Sequence, residues 1–344
     1  VAIPHHLVLD LLIALDALFH QHLAHGREGQ RVFHDGRQLF LVVRKATPRA
    51  PQGKGRESMS VEPLSFTTKS RPRPKTAVAR PRVVIPVFPG TNCEYDTARK
   101  FSQAGAEPRI IMINNLSAGS VARSVTDLAA EIRGAEMIFL PGGFSGGDEP
   151  DGSGKFITAF FRNPRISDRV TELLDRDGLM GGICNGFQAL IKLGLVPYGQ
   201  IREMDEDSPT LTYNEIGRHQ SRLIYTRIAS NLSPWLMYNQ VGDIHLTAIS
   251  HGEGRFVCPG PLLRELKEKG QIATQYVDLA GSPTMEIDFN PNGSLVAVEG
   301  ITSPDGRIFG KMGHSERWGR GTYKNVPGKM DNRMFPAAVD YFQK

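Results

Sequence analysis

Four short apolar runs, each followed by a stretch of helical spacing, organise the middle of the chain. Val83-Val84-Ile85-Pro86-Val87-Phe88 leads through Pro-Gly-Thr-Asn into a helical pattern that stops at Gly105. Arg109-Ile110-Ile111-Met112-Ile113 leads through Asn-Asn into a second helical stretch holding Leu128 and Ile132. Met137-Ile138-Phe139-Leu140 ends in Pro-Gly-Gly, and helical text around Val170, Leu173 and Leu174 gives way to Leu179-Met180-Gly181-Gly182-Ile183. Continuous apolar strands alternating with amphipathic helices predict a doubly wound, mostly parallel α/β sheet covered on both faces. Right-handed crossovers then bring the strand ends, and any site, to one edge of the sheet. After about residue 200 the apolar runs are shorter and hairpin-like, at 221–229, 245–250, 254–257, 272–277, 295–299 and 307–312. They predict a small mixed or antiparallel addition.

Composition adds a boundary. Hydrophobic residues make up 40% of the 344 and charged residues 22%, with no repeat, which excludes collagen, coiled coil and a wholly disordered chain. The net charge of +5 is unevenly spread, because residues 1–82 hold 14 Lys+Arg against 6 Asp+Glu. The basic character belongs to this leader, so the overall charge is no argument for nucleic acid as a partner. In the leader, 7–18 predicts one short amphipathic helix; Asp10 and Asp16 interrupt it and it falls far short of the ~20 residues a bilayer needs. From Arg44 to Arg82, Pro48, Pro51, Pro63, Pro72, Pro74 and Pro81 alternate with Lys and Arg, the composition of a mobile linker. Val1 opens the sequence and Met59 falls inside the Pro-rich stretch, so 1–58 is left as an unassigned basic leader, disordered or from a misplaced start. Residues 59–81 are read as linker and 82–344 as the folded domain. Cys93, Cys184 and Cys258 are too few and too scattered for a disulfide framework or a CxxC metal site, so no metal and a reducing, cytoplasmic setting are expected.

Gly182-Ile183-Cys184-Asn185-Gly186 has the form G-x-C-x-G between a buried strand and a helix. This is the thiol counterpart of the nucleophile elbow, in which small residues two before and two after the nucleophile permit a sharp turn. The turn sets sulfur at a helix N-terminus, where free N–H groups and the dipole favour thiolate. Cys93 and Cys258 lack that context and are read as core cysteines. The Asn185 N–H is placed by the elbow to meet a developing oxyanion. A second donor should come from another glycine-rich loop at the same edge, which Pro141-Gly142-Gly143-Phe144-Ser145 supplies. For the base, His314 and Glu316 stand two apart beyond the strand 307–312 and can face one way in extended chain. His251 and Glu253 share that spacing, and the residues alone leave the choice open.

Together, G-I-C-N-G-F-Q, P-G-G-F-S and a late H-x-E resemble the class I, or triad, glutamine amidotransferases. More narrowly, F-P-G-T-N-C-E-Y-D (88–96), G-G-F-S-G-G-D (142–148), G-I-C-N-G-F-Q-A-L (182–190), S-H-G-E-G-R (250–255) and G-H-S-E-R (313–317) resemble the glutaminase domain of phosphoribosylformylglycinamidine synthases. The resemblance runs from about Arg82 to near the C-terminus and implies a flavodoxin-like sheet. It makes Cys184 the nucleophile, His314 the acid/base, Glu316 its orienting partner, and Gly143 and Asn185 the oxyanion donors. Gln188, Gly142 and Gly186 become substrate-binding positions. Many relatives of that class carry Pro where this chain has Ser315, which removes a rigidifying residue but no reacting group.

What the resemblance implies is glutamine hydrolysis through a γ-glutamyl thioester, in de novo purine biosynthesis. The ammonia passes to an ATP-dependent synthetase that turns formylglycinamide ribonucleotide into the amidine. No G-x-x-x-x-G-K-[ST] loop occurs here, so ATP and Mg are expected in a synthetase subunit or fused synthetase domain, with no cofactor in this one. No nucleic acid and no membrane are expected as partners. The rivals are another class I amidotransferase or cysteine hydrolase on the same scaffold, and a catalytically inert binding module.

Overall fold

A computed structural model of the chain describes residues 61–147, 153–319 and 321–343. The leader 1–58, with its expected helix at 7–18, and Asp148 of the glycine-rich loop lie outside the described residues.

The four apolar runs form β1 (Arg82–Val87), β2 (Glu107–Met112), β3 (Met137–Leu140) and β4 (Leu179–Ile183). The intervening text forms α1 (Glu94–Gln103), α2 (Ala118–Arg133), α3 (Lys155–Phe161) and α4 (Pro164–Asp175), and α5 (Asn185–Lys192) follows β4. In α2 the Ser117 hydroxyl accepts the Ser120 N–H at 3.1 Å, and Val125, Leu128 and Ile132 form the buried face. Strands β3 and β4 are buried at every position because helices cover both faces of the sheet.

Later strands are β5 (Thr210–Tyr213), β6 (Gln220–Ile228), β7 (Ile244–His251), β8 (Glu253–Val257), β9 (Ile272–Val277), β10 (Val298–Thr302) and β11 (Ile308–Lys311); α6 (Gly260–Glu268) and α7 (Met334–Gln343) complete the elements used below. The large sheet has nine strands in the order β2-β1-β3-β4-β11-β10-β9-β6-β7. The first five are mutually parallel, the flavodoxin-like arrangement expected, and β10, β9, β6 and β7 continue the sheet in antiparallel pairs.

The antiparallel addition is present, and one boundary within it needs correction. The late strands are mostly an extension of the central sheet, and only β5 with β8 stand apart as a two-stranded sheet. The strand expected at 295–299 begins at Val298, because Val296 and Ala297 turn through positive φ (53° and 57°) and cannot continue a ladder.

The aromatic core joins sheet and helices: Phe101, Phe139, Trp235 and Phe335 meet at ring separations of 5.0–6.3 Å. Residues 61–81 are held on this body at several points. The Leu64 N–H donates to Gln275 Oε1 at 2.9 Å, the Arg227 guanidinium donates to the Leu64 carbonyl at 2.6 Å, and the Val78 N–H donates to the Phe342 carbonyl at 2.8 Å. Among the described residues no helix is long and apolar enough to cross a membrane.

Candidate active site

Four loops leave the C-terminal ends of β1, β3, β4 and β11 at one edge and build the site. After β4 the chain turns at Cys184, whose φ of 55° and ψ of −108° lie outside the usual regions for a side chain with a Cβ. Such a conformation costs on the order of 1–3 kcal/mol and persists only where the surroundings impose it. Here they do: a Cβ on Gly182 would stand 2.7 Å from the Gly186 carbonyl carbon, and one on Gly186 would stand 2.0 Å from the Leu140 carbonyl oxygen. The glycine spacing of the elbow is therefore a packing requirement. It also places Gly186 against β3.

The loop after β3 closes on the loop after β1. The Phe144 N–H donates to the Gly90 carbonyl at 2.9 Å and the Asn92 N–H to the Gly142 carbonyl at 3.2 Å, which leaves the Gly143 N–H outside this small ladder. Gly143 sits at φ 145°, and a Cβ there would come within 2.6 Å of the Gly90 carbonyl oxygen. Gly142 marks the point of convergence. A Cβ on it would lie 2.8 Å from His314 Cε1, 3.3 Å from Cys93 Sγ and 3.5 Å from Cys184 Cβ.

His314 Nδ1 and Glu316 Oε1 are 2.5 Å apart and both residues are buried, while His314 Nε2 has no hydrogen-bond partner among the described residues. Burial alone would raise the Glu316 carboxyl, but the His314 imidazole and its hydrogen bond hold it below its ordinary value. The competing pair is not a pair. Among the described residues both ring nitrogens of His251 lack partners, and the Glu253 carboxylate accepts the Ser153 N–H at 2.9 Å. Burial and the neighbouring His314 and His219 push His251 down to about 3, so it stays neutral.

The Cys184 thiol donates weakly to the Ser250 carbonyl at 3.7 Å. Burial, then the charges of Cys93 and Glu316, push it up to about 12; Arg317 and the Asn185 backbone N–H pull the other way. Sulfur at this site is thus a thiol at rest, and a base must take its proton. The Asn185 side-chain carbonyl accepts the Ser145 N–H at 3.2 Å, and its amide donates to Gln188 Oε1 at 3.0 Å. Gln188 Nε2 donates to the Glu253 carbonyl at 2.5 Å, so this buried amide ties the elbow helix to the S-H-G-E-G-R strand.

Cys93 belongs to this site, which the residue reading missed. It is buried as read, but its sulfur lies 3.9 Å from His314 Nδ1, 3.0 Å from Asn92 Oδ1 and 3.1 Å from the Arg317 guanidinium. The available signal was its place just after β1, on the edge that β3 and β4 also feed. Cys258 is buried beyond β8, where its thiol meets the Pro259 carbonyl at 3.5 Å. Cys93, His314 and Glu316 offer ligand atoms within 4.8 Å of one another, the one such group among the described residues. Those atoms are already engaged, Nδ1 with Glu316 and Sγ with Arg317, so the cluster has the build of an oriented base more than of a cation cradle.

The fold is that of a glutamine amidotransferase of the triad class, and the chain belongs to the CobB/CobQ-like glutamine amidotransferase domain family, whose model matches residues 80–342. Its relatives include the phosphoribosylformylglycinamidine synthase subunit PurQ of Methanococcus maripaludis, 38% identical over 238 residues, or 69% of this chain and 82% of that one. The PurQ subunit of Treponema denticola is 36% identical over 252 residues, 69% of this chain and 88% of that one. A chain of the PurLQS structure from Thermotoga maritima shares the fold at a TM-score of 0.55 and 24% identity, covering 76% of this chain and 99% of that one.

Proposed function

We propose that this chain is the glutaminase component of a phosphoribosylformylglycinamidine synthase, the enzyme of which its PurQ relatives are named subunits. The observation that carries the reading is the convergence at Gly142 of Cys184 and His314, with one imidazole nitrogen on Glu316 and the other without a partner. In the proposed cycle the Cys184 proton moves to His314 Nε2 as sulfur adds to the side-chain carbonyl carbon of glutamine. The N–H groups of Gly143 and Asn185 receive the oxyanion, each donor of this kind being worth roughly 3–4 kcal/mol of barrier. Collapse breaks the C–N bond, and the departing nitrogen takes the proton from His314 to leave as ammonia. His314 then accepts a proton from water attacking the thioester; C–S cleavage returns the thiol and releases glutamate.

Gly142 and Gly186 keep the seat for glutamine small. Gln188 would offer the amide N–H and lone pair that its two internal bonds leave over. Ammonia passes to a synthetase partner, where ATP and Mg act on the formylglycinamide ribonucleotide, and the setting is the cytoplasm. Residues 82–344 are read as the catalytic unit and 59–81 as its connector, with 1–58 unassigned.

The test is Cys184→Ala assayed with the synthetase partner. Glutamine-dependent synthesis should fall to background while ammonia-dependent synthesis stays at the wild-type rate. Loss of both, or retention of both, would place the chemistry elsewhere.

A further inference from the structure

Behind His314 lies a second charged pair that the cycle above does not use. Glu299 in β10 and Lys311 at the end of β11 have side chains 0% and 2% exposed, with Lys311 Nζ 3.3 Å from Glu299 Oε1. Burying two charges is a weak route to stability, since desolvation offsets most of their attraction. What else they bind is therefore the informative part. Lys311 Nζ also donates to the Gly313 carbonyl at 2.9 Å and to Ser315 Oγ at 3.2 Å, which uses all three of its protons. Glu299 Oε1 accepts the Gly313 N–H at 2.6 Å, and Oε2 accepts the Thr274 hydroxyl at 2.5 Å. Ser315 Oγ is further held by Asn332 Nδ2 at 3.1 Å. The backbone rests directly on the pair, because a Cβ at Gly313 would fall 2.9 Å from Glu299 Oε1 and 3.1 Å from Lys311 Nζ. His314 is thus fixed on both sides, at 313 and 315, and by its own N–H on the Ala248 carbonyl at 2.8 Å.

We infer that Glu299, Lys311 and Ser315 are positioning residues, a clamp that sets the His314–Glu316 arm at the angle the thiol requires. The inference rests on the Cys184–His314–Glu316 reading. Glu299 and Lys311 hold the peptide of Gly313, and Lys311 and Asn332 hold the hydroxyl that follows the base. Displacement of a catalytic group by about 1 Å can cost on the order of 100-fold in rate, so a clamp of this kind acts on turnover more than on binding.

The test uses the full chain with its synthetase partner and glutamine as substrate. Ser315→Ala removes one oxygen and should lower kcat by roughly 10-fold with KM changed by less than about 2-fold. Ser315→Thr should recover most of that loss, because it keeps the hydroxyl that Lys311 Nζ and Asn332 Nδ2 bind and the N–H that Ser315 donates to the Gly313 carbonyl. Lys311→Met with Glu299→Leu removes both charges together and should lower kcat like Ser315→Ala, with ammonia-dependent synthesis unchanged. Wild-type kcat in Ser315→Ala and in the double variant, while His314→Ala is inactive, would overturn the clamp and leave the triad reading intact. A loss in Ser315→Ala that is shared by KM and not recovered by Ser315→Thr would also overturn it, as a general structural defect. Full glutaminase activity in His314→Ala would instead defeat the reading on which the clamp depends.

Discussion

Two histidines, each with a glutamate two positions on, have opposite fates, and the difference is visible only in what surrounds each ring. His314 has a carboxylate on Nδ1, whereas His251 is enclosed with neither nitrogen bonded among the described residues. Burial pushes His251 down to about 3 and His245 to about 4 from the ordinary 6.5, with further lowering from nearby positive groups. Below pH 6.5 the unfolded chain therefore binds protons that the folded chain refuses. The stability from these two groups is complete above pH 6.5 and declines as pH falls from there toward 4, by about 1.4 kcal/mol per pH unit for each. Denaturant midpoints at pH 7, 6 and 5 should show this decline, and His251→Leu should make it shallower; an equal slope in the variant would show that His251 is not held neutral. Cys184 was legible because two glycines at fixed spacing serve one local turn. The role of Cys93 was not, since it depends on His314 and Arg317, more than 200 positions away in the chain.

At the level of elements, the alternation of apolar runs and amphipathic helices was enough for the parallel half of the sheet. A strand buried on both faces must be apolar throughout, and the crossover leaves few alternatives. The antiparallel half was legible as strands but not as a continuation. Edge pairing is made by backbone groups, so a hairpin has the same sequence whether it stands apart or extends a neighbour. Placement of β11 beside β4 is what carries the H-x-E segment to the elbow. The β10–β11 pair also carries the Glu299–Lys311 bridge, which no periodicity announces, because two charged residues in short apolar strands look like faults in the pattern. Glu299→Ala should cost about 3–5 kcal/mol of folding stability by leaving the ammonium buried alone, while replacing both charges by apolar residues should be near neutral. Urea unfolding of the single and double variants checks this; equal midpoints for Glu299→Ala and wild type would contradict it.

For the molecule as a whole, one sheet edge collects every part of the proposed site, since β1, β3, β4 and β11 run the same way and end together. The strand order departs in both directions from β1, and crevices at such a reversal are where doubly wound sheets bind ligands. The shared edge follows from alternating strands and helices, whereas the strand order does not. Residues 61–81 show the opposite limit. Their Pro-rich, basic text has no core pattern, yet their backbone N–H and C=O groups bond to Gln275, Arg227, Asn231 and Phe342. Composition reports which side chains can form a core, and is silent on a segment held by its peptide groups.

The central claim is that a single buried thiol, Cys184, serviced by His314, attacks glutamine. Labelling of the full chain with a glutamine-mimicking diazoketone, followed by peptide mapping, tests it most directly. The account predicts one adduct, on Cys184, that forms far more slowly in His314→Ala and normally in Cys258→Ala. An adduct on Cys93 or Cys258, or undiminished labelling without His314, would contradict it.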